Sequence, residues 1–265
     1  MSDWIHGLPL GWMAVVVFGA TALMTAAIYW IVMRLATGDR ARAFKAVSPG
    51  LLPPLGIMFG LLVAFIAAQI WGDVDRANGA VNREASSLRA VVLLSRAFPA
   101  DAQARIRTLI SQHIQEVQEV EWPAMAHQRA TLRMIPPALG QVLAVTLAIP
   151  AAGEGQVAAQ REVVANLDNA LDARRQRILV SRSQVNLVKW FVLLVEAACT
   201  LTGIAMVHSD NRAAARIAMG LFATASAVCI FLLVAHDRPF TGGLSVSPAP
   251  LLNVRPDSAL EEKES

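Results

Sequence analysis

Four long apolar stretches, separated by polar segments, set the organisation of the chain. The first runs from Gly11 to Met33. The second, LLPPLGIMFGLLVAFIAAQIW, runs from Leu51 to Trp71. The third, VKWFVLLVEAACTLTGIAMV, covers Val188 to Val207, and the fourth, IAMGLFATASAVCIFLLVA, covers Ile217 to Ala235. A helix rising 1.5 Å per residue needs roughly 20 apolar residues to cross a hydrocarbon core, and each stretch is close to that length or beyond it. Trp12, Trp30, Trp71 and Trp190 stand at or near the ends of these stretches. There an indole keeps its ring in the acyl boundary and its N–H among headgroups, which supports the same boundaries independently of hydropathy.

Between the second and third spans, from Gly72 to Leu187, the pattern changes to helical amphipathicity. Ile106, Leu109, Ile110, Ile114, Val117 and Val120 form one apolar stripe. Val157, Val164, Leu167, Leu171 and Ile178 form a second, and Ala85, Leu88, Val91 and Val92 a shorter one after Glu84. Pro99 separates two of these helices. Pro136, Pro137 and Pro150 bracket an apolar run too short to span, expected as a buried or interfacial helix. Strand patterns are almost absent. The expectation is an all-α membrane protein with four transmembrane helices and a helical-bundle insert between spans two and three. Residues 1–71 form an N-terminal hairpin, 72–187 the insert, 188–240 a C-terminal hairpin and 241–265 a glycine- and proline-rich flexible tail, too polar to bury.

Composition agrees: 55% of residues are hydrophobic, only 16% are charged, and the mean hydropathy is +0.48. The net charge of +3 is mild and the arginines are scattered, which argues against a nucleic-acid surface. The first apolar stretch is preceded by an acid and no Lys or Arg, so it reads as a retained anchor rather than a signal peptide. Cys199 and Cys229 both fall inside apolar stretches and read as small buried hydrophobes, with no disulfide framework. Charge matters mainly for orientation. The first loop carries Arg34, Arg40, Arg42 and Lys45 against Asp39, and the third carries Arg212 and Arg216 against Asp210. The excess of positive charge in cytoplasmic loops places both in the cytoplasm, and the insert and both termini outside it, in a multi-pass protein of the inner (plasma) membrane.

Few residues stand out as chemistry. Glu196, inside the third span, costs roughly 2.5–3.5 kcal/mol to insert unless it meets water or a partner. It is a candidate for an ion pathway, or else is protonated or bonded to hydroxyls such as Thr200 or Thr202. Pro53 and Pro54 suit the first turn of the second span, where a missing N–H costs little. Gly56 and Gly60 form a GxxxG pattern that admits a close helix. Phe59 and Phe65 are candidate gates on a pore face, or packing residues. In the insert, Glu84 reads as a cap or pair on a wetted helix face. Glu116, Glu119 and Glu121, beside Trp122, form either a cation site or a wetted surface. His113 and His127 lack the spacing of a zinc site, and no metal or other cofactor is implied. No nucleophile triad, phosphate loop or dinucleotide fingerprint is present, so nothing argues for an enzyme. At the end of the fourth span, His236, Asp237, Arg238, Pro239 and Phe240 form a helix stop on the insert's side of the membrane. They are able to pair with the insert or with the ends of spans two and three, or else to act in gating or ion attraction.

The arrangement, with LLVAFIAAQIW in the second span, NREASSLRAV after it, EVEWPAM further on and HDRPFTGGLSVSP after the fourth, resembles a bacterial family catalogued as bestrophin-like, over about Gly7 to Leu251. Bestrophins proper are pentameric anion channels with a four-helix membrane part and a helical domain between spans two and three. The resemblance therefore implies a homo-oligomeric, pentameric pore for an inorganic anion, lined by the second span and embedded in a lipid bilayer. It also implies a cytosolic domain, opposite to the charge rule, and no acidic calcium clasp can be matched residue by residue. The competing reading is a membrane-anchored scaffold or signalling protein whose insert binds a partner. A proton- or ion-coupled transporter using Glu196 lacks the inverted repeats and paired broken helices such proteins use.

Overall fold

The computed structural model describes residues 3–46, 49–132, 136–150 and 153–254. In chain order its α-helices are α1 (Asp3–His6), α2 (Leu10–Leu35), α3 (Asp39–Ala46), α4 (Leu52–Leu94), α5 (Ala100–Glu116), α6 (Trp122–Ala126), α7 (Pro137–Ala148), α8 (Glu154–Val180), α9 (Leu187–Val207), α10 (Arg212–His236) and α11 (Ala249–Leu252). No strand occurs among the described residues. Helices α2, α4, α9 and α10 are the four long and apolar enough to cross a membrane, one for each predicted span, and the protein is an all-α membrane protein.

Local sequence explains where these helices begin. Pro9, Pro99 and Pro136 stand at the N-caps of α2, α5 and α7, where a missing N–H is harmless. Asn186 Oδ1 accepts the Val188 N–H at the start of α9, and Asn211 Oδ1 accepts the N–H groups of Ala213 and Ala214 at the start of α10. Pro53 and Pro54 occupy the first turn of α4, as their position in the sequence requires. The 43 residues of α4 make a rod of about 65 Å, roughly twice the thickness of a hydrocarbon core. Its apolar part, to Trp71, coincides with the predicted second span.

The chain divides into two compact units. The first comprises Met1–Gly72, Gln184–Arg238 and Gly242–Leu244. Within it α2 packs against α9 and α10, which also pack on each other. One core layer joins Met13, Val17, Phe59, Ile66, Ile70, Trp190, Leu193 and Leu233, and another joins Val32, Leu201, Ala205 and Met219. Outward-facing Leu23, Phe65, Phe191 and Leu221 leave an apolar surface that suits lipid. Lys45, in α3, donates to Asp210 at 2.6 Å, so the first and third loops lie at the same end of this unit. Cys199 is exposed on that surface and Cys229 is half-buried, rather than both buried as their apolar settings suggest.

The second unit comprises Asp73–Ser183, Pro239–Thr241 and Ser245–Ser265. Its core holds Leu88, Val91, Ile106, Ile110, Ile114, Val142, Val163, Leu167 and Ile178. The short apolar run is α7, packed against α5 and α8 through Leu139, Val142 and Thr146, while Leu147 on its other face is exposed. Two stripes differ from expectation. Val120 is 60% exposed, because a π-helical turn at Val117–Glu121 breaks the 3.6-residue period. On α8 the buried face runs through Val163, Leu167, Ala170 and Ile178, while Val157, Val164 and Leu171 are only partly covered. The segment after Phe240 is a larger correction. Far from being too polar to bury, it places Val246, Leu251 and Val254 in the core, with the Val246 N–H donating to the Pro239 carbonyl at 2.7 Å. Three apolar side chains spaced through a polar segment suffice to dock it. Residues 255–265 of the expected tail lie outside the described residues.

Candidate functional site

The densest chemistry in the molecule is a charged cluster inside the helical unit. Glu84, on α4, and Arg177, on α8, have fully buried side chains. Arg177 Nε donates to Glu84 Oε2 at 2.7 Å and Nη2 to Glu84 Oε1 at 3.0 Å, a two-pronged pair that matches the planar guanidinium to the carboxylate. Nη2 also donates to Glu121 Oε2 at 2.8 Å, and Arg174 Nε donates to Glu121 Oε1 at 2.7 Å. His113, on α5, is buried with Nε2 3.5 Å from Glu84 Oε1. The guanidinium of Arg177 also lies 5.5 Å from the Trp122 ring centre, and Trp122 meets Phe240 edge-on at 5.4 Å.

Each member is positioned by a local feature. Glu84 lies on the buried face of α4 between Val81 and Leu88. Arg174 and Arg177 are three residues apart on α8, so both reach the same side. The π-helical turn inserts an extra residue before Glu121 and aims it at both arginines. Burial pushes the Glu84 carboxyl upward, but the Arg177 guanidinium and His113 outweigh it and hold the group below the usual glutamate range. Burial likewise works against the Arg177 charge, and Glu84 and Glu121 more than restore it. Glu84 and Arg177 therefore form a charged pair in the interior.

The structure draws together Glu84, the adjacent Glu121 and Trp122, and Phe240, three places far apart in sequence. It corrects two readings: Glu84 is not on a wetted face but fully buried, and Glu121 is an acceptor for arginines rather than part of a cation site. Glu119 instead accepts from Gln115 at 3.0 Å. Sequence reading weighs His113 only for zinc spacing and gives Arg174 and Arg177 no role in a site. The available signal was two arginines on the otherwise apolar face of α8, an arrangement that demands buried acids.

The remaining candidates are dispersed. Phe59 is 7% exposed and packs on Phe222 with ring centres 5.4 Å apart, whereas Phe65 is 71% exposed. Pro53 and Pro54 are exposed. Glu196 is half-buried; its Oε1 is enclosed with no hydrogen-bond partner among the described residues. Thr200 and Thr202 do not serve it, because their hydroxyls donate to the backbone carbonyls of Glu196 and Ala198. In the helix-stop motif, Asp237 accepts the Val185 N–H at 2.7 Å and approaches His6 Nε2 at 3.3 Å. Arg238 donates to Gln184 at 3.2 Å, and His236 Nδ1 contacts the Leu232 carbonyl at 3.0 Å. The acid and the arginine thus secure the segment that leads into α9, and His6 is a partner sequence reading missed. Thr241 donates to the Ala126 carbonyl at 2.7 Å, and Gly242 takes φ +86°, which side chains resist.

Comparison with known proteins agrees with this architecture. The chain is similar to the crystal structure of a bacterial bestrophin homologue from Klebsiella pneumoniae carrying a point mutation, at 12% identity and a TM-score of 0.67, over 91% of this chain and 97% of that one. At that identity the likeness is one of fold. No curated protein matches the chain. A sequence model described as the Bestrophin-like domain matches residues 19–251, most of the chain, and the protein accordingly belongs to the bestrophin-like family.

Proposed function

We propose that this protein is the subunit of a homo-oligomeric anion channel, pentameric as the bestrophin resemblance implies, with α4 lining the pore. The observation that carries the reading is a stripe along the membrane part of α4 that nothing among the described residues covers. Gly56, Gly60, Ala64 and Ala68 recur every four residues and are exposed, flanked by exposed Ile57, Leu61 and Phe65. A Cβ added at Gly56 or Gly60 would meet nothing within 4 Å. The opposite face, with Phe59, Ile66 and Ile70, is packed into the membrane unit. Small residues at this spacing allow helices of several copies to approach one axis. Beyond Trp71 the same stripe turns polar through Asp75, Asn78 and Asn82, as a water-filled vestibule requires.

In this reading Phe65 is the narrow apolar point, Phe59 serves packing, and no catalytic step is involved. The protein sits in the inner membrane with the helical unit and both termini outside the cytoplasm. The cationic first loop and the third loop support this, being held at one end of the membrane unit by Lys45 and Asp210. Purified oligomer in planar bilayers should show discrete, anion-selective conductance that changes in gating with Phe65→Ala. Silent bilayers from correctly assembled protein would refute the channel. A reporter fused beyond the buried Leu251 and Val254, at the C-terminus, reads the orientation.

A further inference from the structure

We infer that the membrane unit binds an anionic phospholipid, with one acyl chain laid in a groove between the start of α4 and the second half of α9 and the phosphate among the cations of the first and third loops. The groove has a volume of about 380 Å³, with Leu52 and Leu55 on one wall and Val195, Cys199 and Val207 on the other. The walls meet at Gly203, where an added Cβ would stand 3.0 Å from Leu52 Cδ2, so a larger residue would press on that wall. The Thr202 hydroxyl in the lining donates to the Ala198 carbonyl at 2.7 Å. With that group tied to its own helix, the side chains of the lining present hydrocarbon and sulfur, a surface that favours an apolar chain. From Val195 to Val207 the helix advances about 18 Å, close to half of a hydrocarbon core about 30 Å thick, which is the depth of one leaflet.

Positive charge stands where the groove reaches the end of the membrane unit. Leu51, which also lines the groove, follows Lys45 by six residues, and Val207 precedes Arg212 by five, so both walls run directly into the cationic loops. Helix α3 packs on α9, and its Lys45 reaches Asp210, just beyond the end of α9, at 2.6 Å. An ammonium has three donors, of which Asp210 takes one. Asp39 holds Arg42 at 2.9 Å, while Arg40, Arg212 and Arg216 form no ion pair among the described residues, so the two loops keep a surplus of positive charge. At the end of α2 that leads into the first loop, the Arg34 guanidinium lies 4.7 Å from the ring centre of Trp30, an exposed indole that marks headgroup level. A zwitterionic lipid fits the groove but gains nothing from the surplus, and a free phosphate meets the cations without using the groove. A phospholipid with net negative charge satisfies both.

Native mass spectrometry of the full-length oligomer, titrated with phosphatidylglycerol or with phosphatidylcholine of the same chains, tests the site. Phosphatidylglycerol should be retained severalfold better, and glycerol phosphate, the headgroup without chains, should not displace it. Cys199→Trp, which fills the groove, should reduce that retention severalfold at unchanged oligomer mass. Lys45→Gln together with Arg212→Gln, both at exposed positions, should bring phosphatidylglycerol down to the level of phosphatidylcholine. In protein carrying Cys229→Ser, bound phosphatidylglycerol should slow alkylation of Cys199 by N-ethylmaleimide severalfold relative to phosphatidylcholine, which places the lipid in this groove. Equal retention of the two lipids overturns the inference, as does displacement by glycerol phosphate or a preference that survives the charge variant. Alkylation of Cys199 at one rate in both lipids overturns it too, the result expected where a neighbouring copy covers the groove. Should Cys199→Trp fail to assemble, the charge variant and the alkylation decide alone. The channel reading is tested by conductance and survives either result.

Discussion

Glu84 and Arg177 show what a single residue can conceal. In the sequence Glu84 is an acid beside an amphipathic stripe; in the fold it is enclosed, and its partner lies 93 residues away. Removing one member of such a pair leaves the other charged and dry, at a cost of about 3–5 kcal/mol. Glu84→Gln and Arg177→Met should each lower unfolding stability by that order. The double variant should cost less than the sum of the two, because it leaves no orphaned charge between these positions. Denaturant unfolding of the three proteins measures both effects. The depressed Glu84 pKa also sets a pH window. A carboxylate bound more tightly in the folded state contributes stability above its unfolded value, near about 4.3, and loses it as pH falls through the lower folded value. Melting should therefore be insensitive to Glu84 between pH 7 and 5. It should fall more steeply below pH 4 in the natural protein than in Glu84→Gln.

At the scale of elements, the π-helical turn after α5 is the feature periodicity alone mispredicts. The α-helical count extends the buried stripe to Val120, yet Val120 faces outward, because one extra residue in the turn re-aims Glu121. Deleting Val120 should restore an α-helical register that advances about 100° per residue. That change swings Glu121 away from Arg174 and Arg177, or else dislodges the Ile110 and Ile114 face. The expected loss of stability is at least that of Glu121→Gln, measured as a drop in melting temperature. If the deletion melts like the natural protein, the turn is not what positions the acid. Helix α8 teaches a related lesson. Its apolar residues are visible in sequence, but two overlapping stripes compete there, and packing against α7 selects the one containing Val163 and Leu167.

For the whole molecule, the Gly56, Gly60, Ala64, Ala68 side of α4 is an exposed face of the membrane unit made of small residues. A Cβ added at Gly60 meets nothing within 4 Å among the described residues, so Gly60→Leu should leave the fold of each subunit intact while weakening assembly. Native mass measurement in nanodiscs should show the natural oligomer giving way to smaller species, with unchanged helicity. Retention of the full oligomer by Gly60→Leu would place the contact between copies elsewhere. Phe59 offers the control: it packs on Phe222, so Phe59→Ala should cost about 3–5 kcal/mol of subunit stability as a core truncation.

The number of spans, their lengths, the helical class and the place of the insert were determined by the sequence itself. Hydropathy over some twenty residues and apolar spacing over a few turns are local quantities, and lipid leaves a chain little choice but helix. Only the tertiary structure decided which polar residues are buried together, which of Phe59 and Phe65 is covered, where His6 finds Asp237, and that the segment to Val254 belongs to a core. Those outcomes depend on which faces meet across long stretches of chain. A charge, a phenylalanine or a proline reads the same in sequence whether its neighbour in space is water, lipid or an arginine from another helix.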